Sequence, residues 1–129
     1  MLNNWMQKGD YFTYQKDKVG HQIFYCDSAT SEKNSFKPVL LLIHGFPTAS
    51  IDWQHVWPKL RESFRLITLD MMGFGLSDKP KHYSYSIADQ ANIFQALLQK
   101  LDITEYHIFA HDYGDTVAQE LLARQEELL

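Results

Sequence analysis

The apolar run Val39–Ile43, followed directly by His44-Gly45-Phe46-Pro47, constrains the fold of this chain more than any other stretch of its sequence. An apolar run of this length, ended by glycine and proline, is typical of a strand buried on both faces of a parallel sheet. Parallel strands require a crossover connection, usually a helix, between them. The run therefore predicts an α/β fold.

The sequence after this run alternates helical and strand-like segments, as a series of βαβ units requires. Pro58 is expected to kink or restart the first helix, and Ser86 with Asp89 three residues later matches the start of a capping box. Right-handed crossovers between such units give a doubly wound, mostly parallel sheet. The predicted strands are Arg65–Leu69 and Tyr106–Ala110, and the predicted helices are Ser50–Glu62, Ser86–Leu101 and Asp115–Leu128, the last with Val117, Ala118, Leu121 and Leu122 facing inward.

Two β-rich segments precede the first parallel strand. Asp10–Lys16 alternates in polarity, His21–Asp27 is again β-rich, and Gly20 lies between them. This pattern predicts an N-terminal antiparallel hairpin with Gly20 in its connection. The polar segment Thr30–Lys37 is predicted to be a loop.

Composition excludes several classes of protein and partner. With 129 residues the chain holds one domain at most, and a net charge of −4 argues against binding to nucleic acid or to anionic lipid. The run Val39–Ile43 is too short to span a bilayer, and the N-terminus lacks the pattern of a signal peptide. Cys26 is the single cysteine, which fits a reducing compartment. We therefore expect a cytoplasmic location.

The segment Ala110-His111-Asp112-Tyr113-Gly114, between the last predicted strand and helix, has the pattern of a nucleophile elbow. Small residues flank the elbow because the strand turns sharply into the helix. The central residue is Asp112, whose carboxylate is ionised at pH 7 and needs no base before it attacks. A carboxylate suits displacement at an sp³ carbon, such as an epoxide carbon or one bearing a halide. Asp112 is therefore the candidate nucleophile, and the product would be an ester between enzyme and substrate.

Hydrolysis of such an ester passes through an oxyanion, which needs two hydrogen-bond donors. The backbone N–H groups of Tyr113 and Phe46 are the candidates, since both follow strands whose carboxyl ends meet at one edge of the sheet. Both residues are also candidate substrate contacts. The structural alternative is that Asp112 only caps the helix, as Asp often does. Its pairing with His44-Gly45-Phe46-Pro47 favours the catalytic interpretation.

These motifs resemble the α/β-hydrolase superfamily, in the branch that holds epoxide hydrolases and haloalkane dehalogenases. The segment 112–121 is most similar to the mesoderm-specific-transcript group of that branch. The resemblance implies an α/β-hydrolase fold without cofactor or metal. It also implies structural roles for His44, Gly45, His111 and Gly114. The segment His44–Pro47 would form the oxyanion loop, which the His44 ring would hold in place. The resemblance further implies a triad of nucleophile, acid and histidine and a helical lid. All six histidines precede Asp112, so residues 1–129 are expected to be the N-terminal part of a single α/β-hydrolase domain, ending after the elbow helix and inactive alone.

The residues favour epoxide hydrolysis among the reactions of this branch. Haloalkane dehalogenases hold the halide with side-chain N–H donors, usually Trp after the nucleophile and often Asn in the oxyanion loop. Here those positions are Tyr113 and Phe46. The expected substrate is a small apolar epoxide or alkyl halide. A haloalkane dehalogenase, a serine-type esterase and a non-catalytic module of the same fold remain the alternatives.

Other chemically suggestive residues have simpler structural interpretations. Ser77 and Asp78 are expected to make turn hydrogen bonds, because no second glycine and no immediate helix follow Ser77. His107 and His111 would be about 13 Å apart on a strand, too far to share a metal ion, and His111 is expected to pack or hydrogen-bond beneath the elbow. Trp53 and Trp57 are assigned to the core, and Cys26 is expected to be a core or edge residue of the hairpin. The strand at residues 106–110 should leave an open apolar edge, through which the chain is expected to self-associate.

Overall fold

The computed structural model describes residues 2–29 and 36–127, the last of these by its backbone alone. Most of the predicted loop at residues 30–37 and the predicted helix end at Leu128 therefore lie outside the described residues. In chain order the elements are helix α1 (Leu2–Gln7), strands β1 (Gly9–Lys16), β2 (Val19–Asp27) and β3 (Val39–Ile43), a 3-10 helix (Ser50–His55), helix α2 (Trp57–Leu60), strand β4 (Arg65–Leu69), helix α3 (Ile87–Lys100), strand β5 (His107–Ala110) and helix α4 (Tyr113–Glu127).

The strands form one five-stranded sheet in the order β1-β2-β4-β3-β5. Strand β3 pairs in parallel with β4 on one side and with β5 on the other, while β2 pairs antiparallel with β4. The register places Ile43 opposite Ala110, so β3 and β5 end at the same edge of the sheet. The predicted doubly wound α/β sheet with an N-terminal hairpin is confirmed, and this edge carries the candidate site.

The hairpin turn lies earlier than the sequence analysis predicts. Asp17 and Lys18 have φ angles of 52° and 68°, and they form the connection between β1 and β2. Gly20 instead pairs with Gln15 inside the hairpin ladder. A two-residue turn with both φ angles positive matches the right-handed twist of the strands it joins. Strand twist therefore decides the turn, although Asp and Lys are less usual there than glycine.

The segment after β3 is not the single helix predicted for residues 50–62. A 3-10 helix is followed by the four-residue helix α2, with Pro58 in the first turn of α2. Proline has no N–H to donate, so a helix restarts at Pro58 more easily than it continues through it. Trp53 and Trp57 are both buried, as predicted.

Helix α3 begins with the predicted cap but not with the full capping box. The hydroxyl of Ser86 accepts the Asp89 N–H at 3.0 Å. The carboxylate of Asp89 instead accepts hydrogen bonds from the hydroxyls of Tyr14 and Tyr83. The Lys16 ammonium lies 3.4 Å from Asp89 Oδ1. These partners satisfy the buried carboxylate and join the start of α3 to β1.

Helix α4 begins at Tyr113, two residues before the predicted start. Val117 and Leu121 are buried, but Leu122, which was predicted to face inward, is 60% exposed. The face that carries Leu122 lies beside β5, which is an edge strand. The helix therefore has a sheet to pack against on one side of its apolar stripe and solvent on the other.

Two hydrophobic clusters cover the two faces of the sheet. Leu41 and Ile43 belong to the cluster under α3 and α4, whereas Leu40 and Leu42 belong to the cluster under the 3-10 helix. This split follows from the two-residue period of a strand and confirms that β3 is buried on both faces. Cys26 lies fully buried in the second cluster. Within residues 2–29 and 36–127, no helix has the length and apolarity needed to cross a membrane.

Candidate active site

The elbow between β5 and α4 holds Asp112 in a left-handed backbone conformation with a φ of 57°. Such a φ is uncommon for any residue other than glycine and persists only where the surrounding structure imposes it. Gly114 N–H bonds to the His111 carbonyl and Asp115 N–H to the Asp112 carbonyl, both at 2.9 Å, so the helix starts at once. The Asp112 side chain is consequently exposed at the tip of the turn.

Close backbone packing explains the glycines around Asp112. A Cβ atom at Gly114 would lie 2.6 Å from the carbonyl oxygens of both Ile43 and His44. A Cβ atom at Gly45 would lie 2.7 Å from the Cβ of Asp112. Both distances are shorter than any ordinary contact, and two of the three neighbours are backbone atoms that cannot rotate away. The two glycines therefore let the oxyanion loop, the end of β3 and the first turn of α4 approach one another.

One carboxylate oxygen of Asp112 accepts hydrogen bonds from both predicted backbone donors. Tyr113 N–H donates to Oδ1 at 2.6 Å and Phe46 N–H donates to the same oxygen at 3.3 Å. These two N–H groups, that of Tyr113 first, lower the pKa of Asp112 below its usual value, and the charge of His111 acts in the same direction. The carboxylate therefore remains ionised at neutral pH.

His44 fixes the oxyanion loop from below. Its ring is buried, and Nδ1 lies 2.8 Å from the Gly45 carbonyl oxygen while Nε2 accepts the Met71 N–H at 3.1 Å. This pair of contacts requires the neutral ring with its proton on Nδ1. Burial lowers the pKa of His44 and keeps the ring in that form. Both nitrogens of His44 are thus occupied in joining the oxyanion loop to the segment after β4.

His111 lies beside the elbow and not beneath it, which corrects the sequence-based expectation. The side chain is exposed, and its Cδ2 atom would be 3.2 Å from a Cβ built on Gly45. Phe109 and His107, two and four residues earlier, are also exposed. His107 and Phe109 pair with Leu40 and Leu42, so their side chains lie on the face of the sheet that carries the second hydrophobic cluster, where Phe109 contacts Trp53. They are exposed because β5 is an edge strand of the described sheet.

The loop after β4 is anchored by Asp70, whose individual role was not predicted from the sequence. Its buried carboxylate accepts the Ser50 N–H through Oδ1 and the Leu76 N–H through Oδ2, each at 2.8 Å. Gly75, with a φ of 51°, would place a Cβ atom 2.3 Å from Asp70 Oδ2. An Asp directly after a buried parallel strand, followed by two nearby glycines, was the available signal, because such a carboxylate must find backbone donors.

Ser77 occupies a structural position in the same loop. Its buried hydroxyl accepts the Phe24 N–H at 2.9 Å and donates to the Asp70 carbonyl at 2.5 Å. Asp78 accepts the Gln22 N–H at 2.8 Å, so both residues tie the loop to strand β2. The predicted turn hydrogen bonds are present, since Ser77 donates to the Asp70 carbonyl and the Gly73 N–H donates to the Asp78 carbonyl, and both side chains also accept N–H groups of β2. In the part of the chain that the structure describes, no group of three or more His, Cys, Asp or Glu side chains is arranged to hold a metal ion.

Comparison with known proteins agrees with the fold and the motifs. The family model of the alpha/beta hydrolase fold matches residues 38–128. The mesoderm-specific transcript homolog protein of Bos taurus is 48% identical over 126 residues, which are 95% of this chain and 36% of that protein. The predicted similarity to the mesoderm-specific-transcript group is therefore confirmed.

Two solved structures give the same result. An alpha/beta hydrolase fold protein from Burkholderia ambifaria superposes with a TM-score of 0.72 at 29% identity, over 88% of this chain and 39% of that one. A loop variant of a haloalkane dehalogenase from Bradyrhizobium elkanii superposes with a TM-score of 0.73 at 31% identity, over 91% and 37%. The chain thus spans a little over a third of the length of the curated relative above and of these two structures. This chain belongs to the α/β-hydrolase family.

Proposed function

We propose that this chain carries the nucleophile and the oxyanion hole of a hydrolase that forms a covalent alkyl ester on Asp112, with small apolar epoxides as its substrates. The observation that supports this most directly is the pair of backbone N–H groups on one oxygen of Asp112, at 2.6 and 3.3 Å. A helix cap needs only the donors of its own helix. The Phe46 N–H comes from a different segment, so the arrangement is more elaborate than a cap requires.

The geometry assigns different tasks to the two oxygens of Asp112. Oδ1 is engaged by the N–H groups of Phe46 and Tyr113, so we assign the attack on substrate to Oδ2. Attack forms a bond from Oδ2 to the epoxide carbon and breaks the carbon–oxygen bond of the ring, leaving an alkoxide that takes up a proton. Water then loses a proton as it attacks the ester carbonyl carbon, and the negative charge that develops on Oδ1 faces both N–H groups. Collapse of this intermediate breaks the bond between Cγ and Oδ2, and the departing oxygen takes up a proton, which releases a 1,2-diol and restores the carboxylate. We assign no residue of the described chain to the general acid or base.

The side chains around Asp112 favour an apolar substrate. Phe46 is 67% exposed and Tyr113 is half-buried, so both present aromatic surface beside the carboxylate. An exposed aromatic ring next to a strained polar residue is typical of a ligand-contact surface. We therefore assign Phe46 and Tyr113 two functions each, one through the backbone N–H and one through the ring.

Alkyl halides are the second candidate substrate class, because a haloalkane dehalogenase is among the similar structures. Neither the Phe46 ring nor the Tyr113 ring carries an N–H with which to hold a departing halide, which favours the epoxide. A serine-type esterase is less consistent with the site, since the buried hydroxyl of Ser77 is occupied by two hydrogen bonds.

Mass spectrometry after rapid quenching tests the proposal on the natural protein. With an aryl epoxide such as styrene oxide, we expect a mass increase equal to one substrate on the peptide that contains Asp112. Asp112→Asn should lose it, while Asp115→Asn, a matched change at an exposed carboxylate three residues later, should retain it. An adduct on another residue would refute the assignment of the nucleophile. Absence of any adduct with epoxides and with 1-bromobutane would favour a non-catalytic module.

We also propose that the 129-residue chain self-associates through the edge strand β5. Among the described strands β5 pairs with β3 alone, and a groove of about 440 Å³ along it is lined by apolar residues that include Ile108, Ala118 and Leu122. Exposed strand edges of this kind pair readily with other chains. Sedimentation of the chain should show dimers or larger species, which Phe109→Lys should reduce and Tyr11→Lys, on the opposite edge strand, should not. Monomeric sedimentation at high concentration would overturn this proposal.

The proposed location is the cytoplasm. The single cysteine, Cys26, is free of a disulfide and fully buried in the described structure, which is compatible with a reducing compartment. Fractionation of cells that express the natural protein without a tag would test this. Recovery of the protein with membranes or in the medium would contradict it.

A further inference from the structure

Three side chains at the candidate site meet on a single ring, that of Phe74. The centroid of this ring lies 5.2 Å from that of His44, 6.0 Å from that of Phe46 and 6.3 Å from that of Tyr113. The first two contacts are edge-to-face and the third is stacked, all within the separations that aromatic pairs prefer. Phe46 and Tyr113 are the two residues whose N–H groups bond to Asp112 Oδ1. One ring therefore contacts the side chains of both donors and of the histidine that holds the oxyanion loop.

Phe74 is itself held from a third segment of the chain. Its N–H donates to the Met71 carbonyl at 2.9 Å, and its carbonyl accepts the Ser77 N–H at 3.1 Å. The next turn is fixed by Asp70, which accepts the Leu76 N–H at 2.8 Å. These hydrogen bonds hold the loop in place, so the Phe74 ring can restrict the movement of the side chains that it contacts. Phe46 is 67% exposed, so the loss of one packing contact matters more for it than for a buried residue.

We propose that Phe74 is a positioning residue, whose ring keeps the N–H groups of Phe46 and Tyr113 directed at Asp112 Oδ1. The geometric part of this inference stands by itself, and its catalytic consequence rests on the proposed function. The Phe74 ring contacts the side chains of Phe46 and Tyr113. Each side chain is attached to the Cα next to its own N–H group, so holding the side chain restricts the position of that N–H. Small displacements of such donors cost much in an oxyanion hole, where removal of one donor typically slows the reaction about a hundredfold or more.

The first test needs no substrate. The carboxyl group of Asp112 is titrated by NMR in the natural protein and in Phe74→Leu. We expect Phe74→Leu to raise the pKa of Asp112 towards its ordinary value, because both N–H hydrogen bonds weaken, and Phe74→Tyr to leave that pKa low. Phe12→Leu is the matched control, since it removes a buried ring from the same hydrophobic cluster but away from the elbow. Phe74→Met provides a second variant should Phe74→Leu fold poorly.

An unchanged pKa of Asp112 in both Phe74→Leu and Phe74→Met would overturn the inference. An equal rise in Phe12→Leu would do the same, because the effect would then reflect general loosening of the core. Both results are independent of catalysis, so they judge Phe74 even where the proposed function fails.

The second test uses the chemistry, in single-turnover experiments with styrene oxide. The oxyanion develops only while the ester on Asp112 is hydrolysed, so we expect Phe74→Leu to slow that step at least about tenfold. Formation of the ester should change less than about threefold, and the adduct should therefore accumulate. Equal slowing of both steps, or the same accumulation in Phe12→Leu, would overturn the positioning role. Absence of an adduct in the wild-type protein would refute the proposed function and would leave the titration to decide the role of Phe74.

Discussion

The carbonyl oxygen of Ile43 lies so close to the Cα of Gly114 that a Cβ atom on that glycine would be only 2.6 Å away. Ile43 is the last residue of β3 and Gly114 lies in the first turn of α4, so this contact sets how near the elbow comes to the oxyanion loop. The Phe46 N–H reaches Asp112 because these two backbones touch.

Gly114→Ala should therefore destabilise the protein, although alanine is the better helix former. The added methyl meets two carbonyl oxygens that cannot move independently of the sheet. Overpacking of this kind costs about 1–3 kcal/mol. Urea denaturation should show this loss for Gly114→Ala, and the exposed position Thr116→Ala in the same helix should show little change. A Gly114→Ala protein as stable as the wild type would mean that the elbow is looser than described.

Asp70→Asn should also lower the free energy of unfolding. The carboxylate accepts the Ser50 and Leu76 N–H groups with different oxygens, and an amide can accept only one of them. Hydrogen bonds to a buried charged group contribute about 1.5–3 kcal/mol each, so a loss of about 2 kcal/mol is expected. Asp102→Asn is the control, because Asp102 is exposed with a φ of 56°, which Asn tolerates well. Equal stability of Asp70→Asn and the wild type would exclude an anchoring role for Asp70.

The stability of the protein should fall as the pH drops below about 6.5, partly because of His44. Burial lowers the pKa of His44 in the folded state, so the unfolded chain binds a proton there first. The stabilisation is complete above the ordinary histidine pKa and is lost as the pH falls below it, by at most about 1.4 kcal/mol per pH unit for one proton. His44→Gln should be less stable at pH 8 but should show a shallower decline between pH 6.5 and 5. A slope identical to that of the wild type would contradict this account.

Cys26 should resist alkylation while the protein is folded. Burial raises the pKa of its thiol to about 12, and only the thiolate reacts. At pH 8 the thiolate fraction is then about a thousandfold smaller than for an ordinary thiol. Iodoacetamide should label Cys26 slowly in buffer and at the normal rate in strong denaturant. The extent of labelling over time is measured by mass spectrometry. Rapid labelling of the folded protein would show that the second hydrophobic cluster opens easily.

Local sequence patterns predicted most of the elements, because each reflects an interaction among near neighbours. The apolar run at residues 39–43 and the strand at residues 65–69 were predicted with the bounds that the structure has. The Ser86 cap was found from the spacing of two residues. The turn at Asp17 and Lys18 was missed. Strand twist favours positive φ angles in this turn, but neither residue type is glycine, which would have indicated such angles in the sequence.

The sequence by itself determined the α/β alternation, the elbow motif and the choice of Asp112 as the candidate nucleophile, since hydrophobic periodicity and the spacing of small residues are properties of short segments. Only the tertiary structure decided that Phe46 N–H and Tyr113 N–H meet on one oxygen, that Asp70 anchors the neighbouring loop and that the Phe74 ring joins these parts. It also decided that His111 and Leu122 are exposed. These features depend on which strands are neighbours and which strand lies at the edge, and such pairings join residues that are far apart in the chain.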